Sequence, residues 1–514
     1  MCWLTVEQQF IPAHAIVSTV SNKSEKKDTS HKLKNKVMDK VFQIIEDEDS
    51  DNYRTFFARD RDRILYSKDF LRLKGKTQIF VEGYDDHMRD RLTHTLEVAH
   101  ISTKISRVLN LSQDLTNAIS YGHDIGHTPF GHAGERVLNG ILNGCYKIVN
   151  TEYTPIKDNS GFKHNWQGIR VVRDLNSKYT NEKGFQLSKY TEWGILHHTK
   201  LNNRKCERII NEMICGNNFE INKKCNCTKG YKIDYYTNLY SDVDDIKNLT
   251  LEALIVEKAD EIAQRHHDIE DGIIGGLISI EEIINFFPKV DSPLFEKLNQ
   301  DEKEIIQILS SKEEQKIIPI LKKITHFIMS LYIRDLIITS QENLNTYKIK
   351  YNLTKPNEFY SQMATANINK TEILGLIDFS AELKKIDEKL KKFLKSSILN
   401  SLIAQSMDSK AEYIILKLVD AYMERPQYLP KNTIFSILER ISAQNHDLIV
   451  AGELTDVREF IANKHFTKLK DEQYFNSFLR GVCDFIAGMT DNFAYKQLDL
   501  IFGTNKITNH NFQK

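Results

Sequence analysis

Apolar and polar residues follow helical spacing along most of the chain. In residues 313–341 and 370–399 the apolar residues recur at steps of three and four, which is the pattern of an amphipathic helix. Breaks containing proline fall near 286–293, 352–359 and 424–432, where helices are expected to end. Only 9 Pro and 22 Gly occur in 514 residues, a scarcity that favours long helices over turn-rich β architecture. The pattern predicts an all-α protein.

Two of the apolar stripes include one polar residue each. The stripe of residues 91–111 consists of His94, Val98, Ile101, Ile105 and Val108. Asp260 lies in a similar stripe with Val256, Ala263 and His267. Taken alone, His94 reads as a core histidine with satisfied hydrogen bonds and Asp260 as half of a buried ion pair. A buried carboxylate costs several kcal/mol unless it is paired or binds a metal, so both positions are candidate ligands.

A third polar cluster lies in the glycine-rich segment GHDIGHTPFGHAGE (122–135). It contains His123, Asp124, His127 and His132 within ten residues. The His-Asp dipeptide occurs at two other places in the chain and carries no information by itself, but the glycines here bend the backbone and leave room for a ligand. Together with His94 and Asp260, the pair His123–Asp124 forms a set of two imidazoles and two carboxylates from three predicted helices. Such a set suits Mn, Fe, Co, Ni or Zn, with Mg also compatible.

These residues carry a family resemblance. The order H…HD…D resembles the HD-domain phosphohydrolases, and the surrounding segments are similar to those of the deoxynucleoside triphosphate triphosphohydrolases, the bacterial dGTPase family. The similar segments are ARDRDRILYSKDFLRLKGKTQIF (58–80), RDRLTHTLEVAHIS (89–102), GHDIGHTPFGHAGE (122–135), FKHNWQGIRVV (162–172), ADEIAQRHHDIEDG (259–272) and CDFIAGMTDNFA (483–494). They follow the family's order and cover most of the chain.

The resemblance implies a role for each matching residue. The metal ligands would be His94, His123, Asp124 and Asp260. His132 and Glu135 would form the acid–base pair, with the carboxylate orienting the imidazole at the start of a helix. The residues that would bind substrate are Gln78, Arg91, His127, His164 and Asp268. Of these, the two histidines line the phosphates, the arginine lies near the α-phosphate, and Gln78 and Asp268 hold the sugar 3′-hydroxyl. Without the family, Arg91 and Gln78 would read as surface or capping residues.

Two features depart from the family or stand outside it. Gln264 occupies a position where the family usually has a tyrosine beside the sugar, which bears on sugar discrimination and on the shape of the base pocket. Residues 206–227 contain Cys206, Cys215, Cys225 and Cys227. Their spacing is unlike paired CxxC knuckles, so free thiols on an insertion are favoured over a structural zinc site.

Charge and composition narrow the class of protein. The chain has 70 Lys+Arg and 70 Asp+Glu, a formal net charge of zero, which gives no overall attraction to nucleic acid. Its odd count of 7 Cys suits a reducing compartment. The sequence shows neither a membrane-spanning stretch nor a signal peptide, and we expect a cytoplasmic protein. The Lys-rich segment 21–36 reads as a flexible or surface segment.

We therefore expect three regions: a partly flexible N-terminal segment (1–50), an HD phosphohydrolase core (51–275) and a C-terminal helical region (276–514) that closes the active site. The expected reaction is metal-dependent hydrolysis of dGTP or several dNTPs to deoxynucleoside and inorganic triphosphate. Alternatives are an HD phosphohydrolase of another nucleotide, or a nucleic-acid-binding regulator with a vestigial site. By resemblance, the protein would be a tetramer or hexamer, with a nucleotide effector bound at a second site as a further partner.

Overall fold

Helices make up nearly all the secondary structure of the described residues. The computed structural model describes residues 54–78, 89–146, 161–178, 182–201, 240–286, 317–355, 357–365, 369–444 and 472–503, together with Phe42, Ile44 and Ile148. The segment 21–36 and the four cysteines between 206 and 227 lie outside these residues. The expected all-α class is confirmed.

The first half of the chain supplies ten described helices. They are α1 (Phe56–Leu65), α2 (Lys68–Leu71), α3 (Arg91–Val108), α4 (Gln113–Gly122), α5 (Gly131–Leu142), α6 (His164–Arg170), α7 (Lys189–His197), α8 (Ser241–Asp244), α9 (Leu251–Ile274) and α10 (Ile280–Ile284). A π-helical turn (Val171–Leu175) extends α6, and a 3₁₀ turn (Ile246–Asn248) precedes α9. The strands among the described residues are β1 (Ser177–Lys178) and β2 (Glu182–Lys183), which pair antiparallel.

The second half continues in the same style. Its described helices are α11 (Ile317–Lys350), α12 (Glu358–Thr365), α13 (Lys370–Leu374), α14 (Ala381–Leu394), α15 (Leu402–Glu424), α16 (Lys431–Gln444), α17 (Glu472–Ala487) and α18 (Asp491–Phe502). A π-helical turn (Lys395–Leu399) follows α14, and a 3₁₀ turn (Pro426–Tyr428) follows α15. The breaks expected near 352–359 and 424–432 are present, whereas the break near 286–293 lies almost wholly outside the described residues. The stretch 370–399 is interrupted at residues 375–380, where α13 ends at Gly375 and Ser380 caps α14.

The two stripes that contain a polar residue are helical. Asp90 caps the start of α3, where its side chain accepts a hydrogen bond from the Thr93 amide. Thr250 caps the start of α9 by accepting one from the Ala253 amide. Such caps satisfy amides that have no partner inside the helix. The predicted α3 stripe is buried except for Val108, which is 38% exposed. Val108 is the last residue of α3, where the helix leaves the core.

Three apolar cores hold the helices together. The first joins α3, α4 and α9 to α11–α14, the second joins α5 to α15–α18, and the third joins α1, α2, α6 and α7. The first two therefore contain residues from both sides of the expected boundary at 275/276, and the division into regions stays a prediction. None of the described helices is both long and apolar enough to cross a membrane.

The turn between α4 and α5 is held by the C-terminal helices. The buried Lys76 ammonium donates to the backbone carbonyls of His127 and Ala487. Asp491 accepts hydrogen bonds from the Phe130 amide (2.8 Å), the Thr77 amide (3.1 Å) and the Thr77 hydroxyl. Phe130 has a φ of 60°, a left-handed conformation that is rare for a large side chain. The start of α18 thus stabilises a turn made far earlier in the chain.

Gly126 lets this turn pack directly against the backbone of α6. A Cβ atom at this position would lie 2.1 Å from the His164 carbonyl oxygen and 2.2 Å from the Gly168 nitrogen. Backbone atoms cannot rotate away, so we expect Gly126→Ala to lower the free energy of unfolding by about 1–3 kcal/mol or more. Chemical denaturation of the purified protein would measure this loss.

Gly375→Ala is the matched control. Gly375 has a φ of −87°, and a Cβ there would lie at least 3.5 Å from its nearest neighbours, an ordinary contact. Its unfolding free energy should stay within about 0.5 kcal/mol of wild type. Equal stability of the two variants would contradict the close packing assigned to Gly126.

Candidate active site

The four expected metal ligands meet between three helices. His94 comes from α3, His123 and Asp124 follow the end of α4, and Asp260 lies on α9. His94 Nε2 lies 2.9 Å from Asp260 Oδ1, and His123 Nε2 lies 3.6 Å from Asp124 Oδ1 and 4.0 Å from Asp260 Oδ1. One ligand atom from each of His94, His123 and Asp124 lies within 4.8 Å of the others. One ion can thus reach His94, His123 and Asp124 together, and Asp260 lies beside the two histidines.

The protonation of His123 fits a metal ligand. Its Nδ1 lies 2.7 Å from the Ser120 carbonyl oxygen, which can only accept, so the ring proton is on Nδ1. Nε2 therefore carries the lone pair. It is buried and has no hydrogen-bond partner among the described residues. An imidazole held in this way by a backbone carbonyl is the usual form of a metal-binding histidine, so the donor set fits a divalent ion.

Asp124 lies at the centre of the site. It accepts a hydrogen bond from the buried Arg91 guanidinium (2.6 Å) and lies 3.1 Å from His127 Nε2. Burial raises the pKa of Asp124, but His127, His123 and Arg91 outweigh it and hold the pKa well below its usual range. The carboxylate is therefore ionised, as a ligand must be.

A second cluster of side chains lies beside the first. His127 and His164 stack, with ring centroids 3.8 Å apart and planes at 17°. The His132 ring lies 5.2 Å from His127 and 5.8 Å from His164. Ligand atoms of these three histidines and Glu135 lie within 4.8 Å of one another. The structure thus brings the expected acid–base pair next to the expected phosphate-binding histidines.

The hydrogen bonds of Glu135 differ from the expected arrangement. Its carboxylate accepts from Lys163 Nζ (3.0 Å), from the His164 amide (3.1 Å) and from His164 Nδ1, and no hydrogen bond joins it to His132 among the described residues. The physical reason is that α6 begins at His164, where the backbone amide has no partner within the helix. Glu135 therefore orients His164, and it acts on His132 only through its charge.

Burial favours the neutral form of the histidines in this cluster. Burial lowers the pKa of His127 and of His164, and in both cases it outweighs the attraction of a nearby carboxylate. Desolvation by the surrounding protein lowers the pKa of His132 to about 3 and outweighs the charge of Glu135, although part of the side chain is accessible to solvent. Such rings can accept a proton when a strong negative charge arrives.

The two expected sugar-binding residues have different surroundings. Gln78 has a buried Oε1 without a hydrogen-bond partner among the described residues. Burial raises the pKa of Asp268 to about 6, although Arg265, His94 and Lys391 oppose this. An ion pair between Asp268 and Arg265 at the surface would account for the Asp268 carboxylate without a sugar ligand. Arg265 instead donates a hydrogen bond to Asp387 at 2.8 Å. No hydrogen bond connects Gln78 and Asp268 among the described residues.

His198, directly after α7, is a site residue that the sequence reasoning missed. Its Nε2 lies 3.2 Å from His164 Nε2, and its Nδ1 donates to the Ile195 carbonyl (2.7 Å). It also lies within ligand distance of Asp124 and His164. The only sign of it in the sequence is the histidine pair His197–His198 at a helix end. His198 follows His164 by 34 positions, and a separation of that length does not indicate that two residues share a site.

Comparison with known proteins gives matches over most of the chain. A family model described as "HD domain" matches residues 91–265, and one described as "Phosphohydrolase-associated domain" matches 377–451 and 453–499. A protein of Geobacter sulfurreducens named deoxyguanosinetriphosphate triphosphohydrolase-like protein is 30% identical over 87% of this chain and 89% of its own length. A protein of the same name from Rickettsia canadensis is 30% identical over 87% of this chain and 94% of its own length. The one from Rickettsia conorii is 28% identical over 89% of this chain and 94% of its own length.

Proposed function

Since the chain belongs to the deoxyguanosinetriphosphate triphosphohydrolase-like family of HD-domain phosphohydrolases, we propose that it hydrolyses deoxynucleoside triphosphates. The products would be a deoxynucleoside and intact inorganic triphosphate. The reaction would need a divalent ion held by His94, His123, Asp124 and Asp260.

One observation carries the proposal: polar atoms of the site are buried without partners. They are Gln78 Oε1, Arg91 Nε, His123 Nε2 and His127 Nδ1, none of which has a hydrogen-bond partner among the described residues. Leaving a buried polar atom unpaired costs about 1–3 kcal/mol. Four such atoms in one site that matches the family support a bound ion and a polar, negatively charged ligand. Gln78 Oε1 could accept a hydrogen bond from that ligand, and Arg91 Nε could donate one to a phosphate.

The chain's own residues would hold the phosphates. When bound, a divalent ion lowers the pKa of water and polarises a phosphoryl oxygen. The Arg91 guanidinium donates to Asp124, and its Nε has no hydrogen-bond partner among the described residues and could donate to an α-phosphate oxygen. His127 and His164, stacked next to Asp124, would donate to phosphate oxygens and offset the charge that develops in the transition state.

His132 would protonate the leaving group. The 5′-oxygen of a nucleoside is a poor leaving group as an alkoxide, and a positioned acid typically accelerates such a step by about 10²–10⁴-fold. In the free protein the pKa of His132 is about 3. A nearby triphosphate favours the imidazolium and raises that pKa, so the substrate itself would promote protonation of its acid.

Product analysis tests the proposal. The purified protein is incubated with each dNTP and each NTP, with Mg²⁺ or Mn²⁺, singly and in mixtures, and the phosphorus products are resolved by ³¹P NMR. Inorganic triphosphate is the expected product from dNTPs. Orthophosphate or pyrophosphate as the product would contradict the proposal and indicate an HD phosphohydrolase of another type.

Two further measurements test the proposed partners. Faster hydrolysis in mixtures than with single dNTPs would support the proposed nucleotide effector, and sedimentation tests the proposed tetramer or hexamer.

The sugar contact gives a sharper prediction. Asp268 lies eight residues after Asp260 on α9, about 12 Å along the helix at ~1.5 Å per residue, a distance that fits an ion at the α-phosphate and a 3′-hydroxyl at the other end. We expect Asp268→Ala and Gln78→Ala to lower kcat/KM for dNTPs about 5- to 150-fold, because an unpaired buried hydroxyl costs about 1–3 kcal/mol.

Dideoxynucleotides provide the control for this prediction. A 2′,3′-dideoxynucleoside triphosphate lacks the hydroxyl, so both variants should hydrolyse it at nearly the wild-type rate. Gln113→Ala, an exposed glutamine at the start of α4, should be neutral on both substrates. Equal loss on dNTPs and dideoxynucleotides would mean that Asp268 and Gln78 act through folding or metal geometry.

A further inference from the structure

A polar cluster lies behind His94, on the side away from Asp260. Glu97 follows His94 by one turn of α3, and His266 and His267 lie opposite on α9. Glu97 Oε2 lies 2.7 Å from His267 Nε2, and Glu97 Oε1 lies 2.6 Å from His266 Nδ1. Neither the metal site nor the acid–base mechanism described above uses this cluster.

His267 connects the cluster to the metal site. Its Nδ1 lies 3.3 Å from His94 Nδ1, with the two rings nearly perpendicular at 70°. His94 Nε2 in turn faces Asp260 Oδ1 at 2.9 Å. Glu97, His267 and His94 therefore form a continuous chain of hydrogen-bond contacts that leads to Asp260 in the proposed metal site. His267 is buried, so water does not supply alternative partners.

The chemistry of these atoms assigns the protons. An ionised carboxylate only accepts hydrogen bonds, so His267 donates from Nε2 to Glu97. A neutral His267 then presents a lone pair at Nδ1, which accepts the proton on His94 Nδ1. Where an ion replaces the contact between His94 Nε2 and Asp260, His94 keeps its proton on Nδ1 and offers the Nε2 lone pair to the metal. Without an acceptor at His267 Nδ1, a neutral His94 could instead keep its proton on Nε2, beside Asp260, and that proton would block ligation.

We propose that Glu97 and His267 are positioning residues that hold His94 in its metal-binding tautomer, an inference that rests on the proposed role of His94 as a ligand. Glu97 sets the tautomer of His267, and His267 sets the tautomer of His94. Partners of this kind behind a metal-binding histidine commonly change metal affinity by about 10–100-fold.

His266 provides the matched control. It contacts the other oxygen of the same carboxylate, and its Nε2 lies 3.6 Å from Glu270, but no contact joins it to His94 among the described residues. Glu270 and Asp271 are bound in turn by Arg89. His266→Gln therefore disturbs the same cluster without interrupting the chain of contacts to the metal site.

The test measures Mn²⁺ and Zn²⁺ binding by isothermal titration calorimetry on the full chain stripped of metal. We expect Glu97→Gln, whose amide can donate as well as accept, to weaken binding about 10-fold. His267→Phe, which lacks any acceptor, should weaken it about 10–100-fold. His267→Asn keeps an acceptor near the Nδ1 position and should stay close to wild type, as should His266→Gln.

A double mutant separates positioning from general destabilisation. In the His267→Asn background, Glu97 no longer has a tautomer to set, so adding Glu97→Gln should cost no further affinity. Melting temperatures measured in EDTA show whether each variant is folded. If His267→Phe does not fold, the comparison of the two single variants Glu97→Gln and His267→Asn still tests the inference.

Three outcomes would overturn the inference: wild-type affinity in both Glu97→Gln and His267→Phe, equal losses in Glu97→Gln and His266→Gln, or a wild-type protein that binds neither ion. By contrast, metal binding that follows the expected order, combined with products other than triphosphate, would contradict only the proposed reaction.

Discussion

Asp124→Asn should lose the bound ion and slow hydrolysis of every nucleoside triphosphate by about 10³-fold or more, since an ion contributes several kcal/mol to stabilising the transition state. Asparagine is the better test than alanine because the buried Arg91 donates to Asp124. The amide oxygen can still accept that hydrogen bond, so the guanidinium is not left without an acceptor. Metal content by mass spectrometry and initial rates would measure both effects.

Asp114→Asn is the control for Asp124. Asp114 lies in the first turn of α4 and forms an ion pair with Arg61 at 2.6 Å. Asp114→Asn therefore makes the same change in an aspartate–arginine pair as Asp124→Asn does beside Arg91. Its metal content and rates should match wild type. Full activity of a metal-depleted Asp124→Asn protein would refute the metal site.

His132→Ala should lower kcat by about 10²–10⁴-fold while metal binding and KM change little, because a general acid acts on the leaving group and not on the ground state. Glu135→Gln should lower kcat less. Glu135 holds His164 and Lys163 and influences His132 through its charge. Steady-state kinetics over a range of dNTP concentrations would separate kcat from KM.

His100→Ala replaces an exposed histidine of α3 and should leave both constants unchanged. A rise in KM alone for His132→Ala would make that residue a binding group. A larger loss in Glu135→Gln than in His132→Ala would instead place the essential proton transfer at His164.

Periodicity predicted the parts of the site that depend on local helix geometry. His94 and Asp260 lie at three- and four-residue steps within apolar stripes, and the structure places both between packed helices. The helix end at Gly122 and the helix start at Gly131 also agree with the glycine-rich segment. In each case the determining interactions lie within one or two turns, so the sequence contains the information. The failure at Val108 also has a local cause, since a stripe cannot show where its helix leaves the core.

Contacts between distant segments could not be predicted in this way. Glu135 binds His164, 29 positions later, because α6 starts beside α5. His198 enters the site only because α7 packs next to α6. Lys76 reaches the carbonyl of Ala487, 411 positions away. These pairs have no spacing rule, and the family resemblance supplied residue roles without their hydrogen-bond partners.

The dependence of the α4–α5 turn on Asp491 has a consequence for synthesis of the protein. Phe130 and Asp491 are 361 positions apart, which at about 5–20 residues per second corresponds to roughly 20–70 s on the ribosome. During that interval the nascent chain already carries His123, Asp124 and His132, yet its strained turn lacks the carboxylate that holds it. A growing chain should therefore lack the proposed hydrolysis until α17 and α18 have been synthesised and folded against the turn.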